Sequence, residues 1–281
     1  MAIVLYGRSC DPVLQYFCHY LQQQESIVVF IDQDQLGTHI TLDQVGWHWK
    51  QGPSLLHQDI VSVFNRSASL HPAISYPMAQ QQYHMRAWSW LDYECPMVLN
   101  RPRFMMSNTS KPYQSLRVRS CGLSMPRYAC LANVRMIATD EPLIAKSISA
   151  VRSVVGPYVH KAGDSVQEPV LFQARILGDN VRVHVIGAMV VAIRIRSSAV
   201  DYRYAEDVDY TCIKLPDAIR QSCIDISQEL GLPFCGIDLI YYDSAYYFLE
   251  ANPAPGYNAF ERHIQGNPIS QALYGLMQPG V

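Results

Sequence analysis

The sequence lacks the features that mark membrane-spanning, secreted and zinc-binding proteins. No apolar run approaches the roughly 20 residues that span a bilayer, and the opening Met1–Tyr6 segment is followed too soon by polar residues for a signal peptide. None of the eight cysteines belongs to a CxxC pair, which favours buried, reduced thiols over a zinc site or a disulfide framework. We therefore expect a cytoplasmic protein with no membrane partner.

An excess of charge of one sign is also missing. Only 16% of the residues are charged, and the formal net charge is -2. Without a positive surplus the chain has no electrostatic footprint for duplex nucleic acid, so we expect no nucleic-acid partner. By contrast, 49% of the 281 residues are hydrophobic, which is enough for a sizeable core and for more than one domain or subdomain.

The chain opens with the pattern of a parallel α/β unit. A β-rich apolar run at Ala2–Tyr6 is followed by Asp11 and Pro12, which supply an N-cap and a first-turn proline to a helix. A second apolar strand follows at Ile27–Ile31, and this βαβ order predicts parallel strands. The turn after the first strand carries a single glycine, Gly7, which argues against a GxGxxG dinucleotide site.

The rest of the chain mixes helices and strands, which predicts an α/β protein. We interpret residues 36–93 as further elements of a first domain. Helices are predicted at Ser110–Ser120, closed by Gly122, and at Asp217–Leu230, closed by Gly231. Strands are predicted near 98–102 and at 142–146, 152–155, 170–176, 181–186 and 189–195.

A hairpin near the C-terminus carries two acids and an amide among apolar residues. With a three-residue loop at Asp243–Ala245, Asp238 lies opposite Glu250, and the period of two puts Asn252 on the same face. A two-residue loop would instead send Glu250 to the other face. Three oxygen ligands without His or Cys favour Mg²⁺ or Mn²⁺, with room for the phosphates of a nucleotide. The alternative is a solvated edge hairpin with ordinary surface acids.

Two lysines could supply the matching positive charge. Lys146 lies on a short apolar strand, and Lys111 opens the predicted helix near its positive end, where a cation is mildly disfavoured. Both positions make sense beside a bound anion, and the pair could hold the α- and β-phosphates of ATP. Taken singly, each lysine has the simpler interpretation of a solvated or snorkelling side chain.

The order of these motifs resembles the ATP-grasp fold, and most closely its RimK-like, glutathione-synthetase-type branch. Val200–Arg203 and Asn252–Gly256 are also similar to the subgroup that modifies ribosomally made peptides. The resemblance covers about residues 96–275, and weakly the preceding 95. The remaining motifs that carry it are 100–102, 110–114, 122–126, 144–146, 180–187, 236–238 and 249–253.

The resemblance implies an N-terminal α/β pre-ATP-grasp domain at 1–95 and two α+β subdomains, 96–172 and 173–281, that grip the nucleotide. It also implies an ATP- and Mg²⁺-dependent carboxylate–amine ligase that forms an amide through an acyl phosphate. Its substrates would be a carboxylate and an amine, and the acceptor stays open between a peptide, a protein C-terminus, an amino acid and another small carboxylate. A homodimer is a family-level expectation.

The family pattern also assigns roles to individual residues. Metal ligands would be Asp238, Glu250 and Asn252, and Arg182 would act on the γ-phosphate and acyl-phosphate side. Arg203 would contact substrate or phosphate. The remaining nucleotide contacts would come from Lys111, Lys146, Ser149 and Ser153, and from the adenine-gripping hinge at Gln173, Ala174, Arg175 and Ile176.

The chain departs from the family pattern in places. The loop after Lys146 contains no glycine, although the family usually covers the phosphates with a glycine-containing loop, and Ala174 stands where an acidic hinge residue is common. Two alternatives therefore stay open: an ATP-grasp phosphotransferase that uses no amine, and a non-catalytic nucleotide- or peptide-binding module.

Overall fold

A computed structural model describes residues 1–68, 76–131, 142–148, 155–158, 170–197 and 207–278. The chain forms two compact units. The first unit comprises Met1–Met105, Leu232–Phe234 and Gly256–Val281, and the second comprises Met106–Gly231 and Cys235–Pro255. The architecture is mixed α/β, which confirms the predicted class, whereas the predicted boundaries after residues 95 and 172 stay a prediction.

The first unit is built on a four-stranded parallel sheet in the order β2-β1-β6-β7. Its strands are β1 (Ala2–Gly7), β2 (Val28–Asp32), β6 (Ile60–Asn65) and β7 (Val98–Leu99). Between β1 and β2 lies α1 (Pro12–Gln23), which begins where Asp11 accepts hydrogen bonds from the backbone N–H groups of Val13 and Leu14. The predicted βαβ opening is confirmed.

Aromatic side chains fill much of the core of this first unit. Trp47 lies between Tyr6 and Trp90, with ring centroids 5.8 and 5.6 Å away, and all three side chains are buried. Trp47 belongs to a small antiparallel sheet of β3 (Ile40–Leu42), β4 (Gly46–Trp49) and β5 (Ser54–Leu56). The remaining helices here are α2 (Met78–Ser89), α3 (Pro102–Met105), α6 (Asn258–Glu261) and α7 (Pro268–Met277), with a π-helical turn at Trp90–Glu94.

The described residues of the second unit form two sheets. A four-stranded antiparallel sheet has the order β10-β9-β11-β8, and a five-stranded sheet has the order β14-β13-β12-β15-β16. The strands of the first are β8 (Tyr128–Leu131), β9 (Leu143–Ser147), β10 (Val155–Tyr158) and β11 (Val170–Ala174). Those of the second are β12 (Asp179–Ile186), β13 (Met189–Ser197), β14 (Val208–Ile213), β15 (Phe234–Tyr242) and β16 (Ala245–Asn252).

Two helices of the second unit match their sequence predictions closely. Helix α4 (Lys111–Val118) begins at the N-cap Ser110, and Gly122 beyond it has a left-handed φ of 87°. Helix α5 (Asp217–Glu229) ends just before Gly231, whose φ of 66° suits glycine because it has no Cβ. The strand that pairs with β9 was predicted at 152–155. In the structure this partner is β10, which begins at Val155 and continues to Tyr158, and the rest of 152–155 lies outside the described residues.

No helix in the described ranges is long and apolar enough to cross a membrane. The cytoplasmic location expected from the sequence stays a prediction.

Candidate active site

The turn of the β15–β16 hairpin differs from the sequence prediction. Tyr242 pairs with Ala245, so the loop has two residues, Asp243 and Ser244, and the expected three-residue loop is wrong. Both loop residues have positive φ, 47° and 60°, the conformation that closes a tight hairpin whose twist matches its strands. Alternation of side chains along the strands does not reveal this choice of turn.

A register shift in the hairpin restores the predicted facing pair. From the turn as far as Leu239, which pairs with Phe248, the register is that of a two-residue loop. The pairing then shifts between Leu239 and Asp238, where Leu249 is the extra residue of a bulge, and Asp238 pairs with Glu250. Because Asn252 follows Glu250 by two residues, it lies on the same face of the strand.

Arg182 pairs with the first acid. It lies on β12, the neighbour of β15, and its Nη1 donates to Oδ1 of Asp238 over 2.6 Å. The Arg182 side chain is 8% exposed and that of Asp238 26% exposed. A Cβ at Gly236 would lie 3.0 Å from Cζ of Arg182, so the glycine leaves the space that the guanidinium occupies.

Lys111 pairs with the second acid. Its Nζ lies 3.3 Å from Oε2 of Glu250, with side chains 12% and 28% exposed. Lys146 is buried on β9 and lies near enough to Asp238 to act on its charge. The structure therefore brings Arg182, Lys111 and Lys146 to the pair of carboxylates.

Burial and the neighbouring charges act in opposite directions on the pKa of Asp238. Loss of solvent raises the pKa of its carboxyl and Glu250 adds to the rise, while Arg182 and Lys146 oppose it. Burial lowers the pKa of His184, which is fully buried on β12, and the charge of Arg182, two residues away, lowers it further. His184 therefore stays neutral in the physiological range, as suits a packed core residue rather than a general base.

Asn252 completes a set of oxygen donors. Its Oδ1 accepts a hydrogen bond from the backbone N–H of Ala254 over 2.9 Å, which orients the amide. A carbonyl oxygen has a second lone pair for another partner. Among the described residues no group of three or more His, Cys, Asp or Glu side chains could hold a metal ion. The donor set here is two carboxylates and one amide, a chemistry that suits a hard divalent cation.

The predicted hinge residues lie on the other sheet of the second unit. Gln173 is buried on β11, and Ala174 ends that strand. The backbone N–H of Ala174 donates to Arg127 and that of Arg175 to Pro142, so both groups are already engaged. Ile176 follows the strand. Three further predicted site residues, Ser149, Ser153 and Arg203, fall outside the described residues.

One buried residue beside the acids was not predicted as part of the site. Gln114 is 1% exposed, and its amide bonds twice to the backbone of Ala251, between Glu250 and Asn252. The available signal was its position three residues after Lys111, which puts both on one helical face.

A family model for the RimK-like ATP-grasp domain matches residues 129–273. The chain belongs to this family. The RimK-like match includes β12, β15 and β16, which carry Arg182, Asp238 and Glu250. It begins after α4, so Lys111 lies outside it.

Two curated proteins resemble this RimK-like chain. N-acetylaspartylglutamate synthase A of Mus musculus is 26% identical over 259 residues, covering 83% of this chain and 65% of that protein. A probable alpha-L-glutamate ligase of Psychromonas ingrahamii is 27% identical over 141 residues, covering 48% and 45%. The chain therefore spans less than two thirds of the length of either relative.

Solved structures share the whole fold. The ATP-grasp ligase PsnB, in complex with a phosphomimetic variant of a minimal precursor, Mg and ADP, superposes with a TM-score of 0.82 at 22% identity and covers 98% of each chain. The macrocyclase MdnC of Microcystis aeruginosa, bound to the precursor peptide MdnA, has a TM-score of 0.82 at 19% identity and covers 99% of each chain. The ATP-grasp fold predicted from the sequence is confirmed.

Proposed function

We propose that this RimK-like protein is an ATP- and Mg²⁺-dependent ligase that joins a carboxylate to an amine, with a peptide as one substrate. Family membership supports ATP-dependent ligation. The peptide is suggested by PsnB and MdnC, whose structures are complexes with precursor peptides. A homodimer remains a prediction from the family resemblance.

The observation that carries the proposal is the pairing of cations with acids at the hairpin. Arg182 contacts Asp238 at 2.6 Å, and Lys111 contacts Glu250 at 3.3 Å. Such a set of opposite charges offers oxygen ligands to a divalent cation and positive groups to phosphate oxygens at the same place. A solvated edge hairpin would not need a guanidinium that is 8% exposed beside it.

The residues present fit a magnesium or manganese ion. Asp238, Glu250 and Asn252 would hold it, because all three offer hard oxygen donors on one face. Both carboxylates keep about a quarter of their side-chain surface exposed, so a hydrated ion can reach them. When bound, the ion would neutralise negative charge on the phosphates of the nucleotide.

The chain's own residues would stabilise the transferring phosphoryl group. A carboxylate oxygen of the substrate takes the γ-phosphoryl group as the bond between that group and ADP breaks, which gives an acyl phosphate. The amine then attacks the acyl carbon, phosphate leaves with the C–O electron pair, and the nitrogen loses a proton. Arg182 would neutralise charge on the phosphoryl oxygens in both steps, while Lys111 and Lys146 would hold the nucleotide phosphates.

Other proposed roles come from the family pattern alone. Ser149 and Ser153 would offer groups to the phosphates, and Arg203 would contact the substrate. The hinge at 173–176 would grip adenine through backbone groups other than the N–H groups of Ala174 and Arg175, which bond within the protein.

Product masses test the proposal directly. Purified protein is incubated with Mg-ATP and candidate acceptor peptides encoded beside its gene, with and without added amines. We expect release of ADP and phosphate, and a product whose mass equals the summed mass of its two substrates less one water. A product heavier by a phosphoryl group would instead identify a phosphotransferase. Nucleotide binding without ADP release over the whole panel would identify a non-catalytic module.

A further inference from the structure

In the part of the chain that the structure describes, strand β16 lies at the edge of its sheet. It pairs with β15 on one side and is the last strand in the order β14-β13-β12-β15-β16. An edge strand has backbone groups with no neighbouring strand to bind, and it is held less firmly than a central one. Both of the proposed ligands on this strand, Glu250 and Asn252, therefore depend on what supports the edge.

Gln114 takes the place of a neighbouring strand at one residue. Its Nε2 donates to the carbonyl oxygen of Ala251 over 2.8 Å, and its Oε1 accepts from the N–H of Ala251, also over 2.8 Å. The side chain is buried, so the two bonds are shielded from water. Nearer the turn, the carbonyl of Ser124 accepts from the N–H of Phe248 over 2.8 Å.

Helix α4 presents two groups to this strand from one face. Lys111 and Gln114 are three residues apart, the spacing that puts side chains side by side on a helix. Lys111 pairs with Glu250 while Gln114 holds the next residue, Ala251. The backbone N–H of Lys111 also donates to the carbonyl of Ile148, in the segment that follows Lys146. One short helix thus contacts both β16, which carries Glu250 and Asn252, and the segment after Lys146, a candidate phosphate-binding residue.

We propose that Gln114 is a positioning residue for the divalent cation site, an inference that rests on the proposed function. Clamping Ala251 fixes the two peptide planes that join it to Glu250 and to Asn252. It thereby fixes the directions in which both oxygen ligands leave the strand. Residues that do not touch the metal but orient its ligands through hydrogen bonds commonly contribute 10- to 100-fold to metal affinity.

The test compares Gln114→Leu with Val118→Ala. Leucine removes both hydrogen bonds at similar size, whereas Val118 is buried one turn further along the same helix and has no polar side-chain group. Mn²⁺ is titrated calorimetrically into protein with saturating ADP, and ADP binding is measured separately in EDTA. For Gln114→Leu we expect Mn²⁺ affinity to fall by about 10- to 100-fold with metal-free ADP affinity unchanged. Val118→Ala should change neither.

Rescue by metal separates positioning from general destabilisation. Because Glu250 and Asn252 remain in Gln114→Leu, a high Mg²⁺ concentration should restore most of its kcat. Hydrogen exchange at the Ala251 amide should speed up in Gln114→Leu but stay slow in Gln114→Glu, which keeps the acceptor oxygen. Gln114→Glu also serves if the leucine variant does not fold, with an expected Mn²⁺ affinity between those of wild type and Gln114→Leu.

The outcomes distinguish this inference from the proposed function. Wild-type Mn²⁺ affinity in Gln114→Leu, or unchanged Ala251 exchange, would overturn the positioning role and leave the ligase proposal standing. If the wild-type protein itself shows no cation-dependent ADP binding, the proposed function fails and the positioning role fails with it.

Discussion

At the scale of single residues, the candidate site is a set of charges that neutralise one another. Arg182 and Lys111 each contact one carboxylate, and Lys146 adds a third positive charge nearby. Such an arrangement reduces the cost of holding Asp238 in a largely desolvated place, although burial still raises the pKa of its carboxyl.

Replacing Glu250 tests the metal assignment. Glu250→Gln keeps the shape of the side chain but substitutes a neutral amide for an anionic ligand. We expect kcat/KM for Mg-ATP to fall about 100-fold, equivalent to about 2.7 kcal/mol, with little change in fold. Steady-state kinetics over a Mg²⁺ series measures the loss. The matched control is Glu229→Gln, because Glu229 also belongs to an ion pair, with Arg117, but is more exposed and lies on α5. Equal kinetics for the two variants would refute the assignment.

The cysteines give a prediction that depends on pH. Burial raises the pKa of the thiols of Cys95, Cys223 and Cys235 to about 12, whereas Cys10 and Cys212 are exposed. Since the thiolate is the nucleophile, iodoacetamide at pH 8 should modify Cys10 and Cys212 in the native protein and leave the buried three until unfolding. Peptide mass spectrometry measures the order of labelling.

The same thiols make stability fall in alkali. Above about pH 9 the three thiols ionise in the unfolded chain, while their folded counterparts stay protonated up to about pH 12. The unfolded state then binds fewer protons than the folded state, so the free energy of unfolding decreases as pH rises through this window. Urea denaturation midpoints at pH 8 and pH 10 check the direction of this change. In the labelling experiment, modification of Cys235 as fast as that of Cys10 would contradict the burial of Cys235.

At the scale of elements, the β15–β16 hairpin stores a mild conformational strain in its turn. Asp243 and Ser244 both adopt left-handed φ, which costs a residue with a Cβ about 1 kcal/mol or more. Glycine at the second position is the strongest preference for a turn of this kind.

Ser244→Gly should therefore stabilise the protein. We expect the free energy of unfolding to rise by about 0.5–1 kcal/mol, as measured by urea denaturation. Ala245→Gly is the control, since Ala245 begins strand β16 and glycine in a strand lowers stability by a similar amount. Loss of stability in both variants would argue against the left-handed turn.

At the scale of the whole molecule, the described site residues all belong to one of the two compact units. Arg182, Lys111, Lys146, Asp238 and Glu250 lie within Met106–Gly231 and Cys235–Pro255. A nucleotide that binds this unit only when it is folded adds to the free energy of unfolding of the unit.

Mg-ADP should thus protect the second unit selectively. At 100 times its dissociation constant, a ligand adds about 2.7 kcal/mol to stability. Hydrogen exchange should slow in β12, β15 and β16 with Mg-ADP, and much less with ADP in EDTA, while the β1–β2 sheet serves as the internal reference. Uniform protection of both units, or none, would count against the site.

Much of the fold was predictable because it rests on local signals. The first strand, α1 with Asp11 as its cap, and α5 with Gly231 as its stop are each specified within a few residues. The pairing of Asp238 with Glu250 was also predicted, but for the wrong reason, since a two-residue turn and a bulge replace the three-residue loop. Both combinations give the same facing pair, so alternation of apolar residues could not separate them.

The sequence by itself determined the α/β class and the residue types of the candidate site, because periodicity, caps and donor chemistry are local properties of a chain. Only the tertiary structure decided which charges meet. Arg182 reaches Asp238 across 56 positions, and Gln114 clamps Ala251 across 137. Contacts of that kind depend on the order of strands in a sheet and on the face that a helix presents to its edge, and no short window of sequence encodes either.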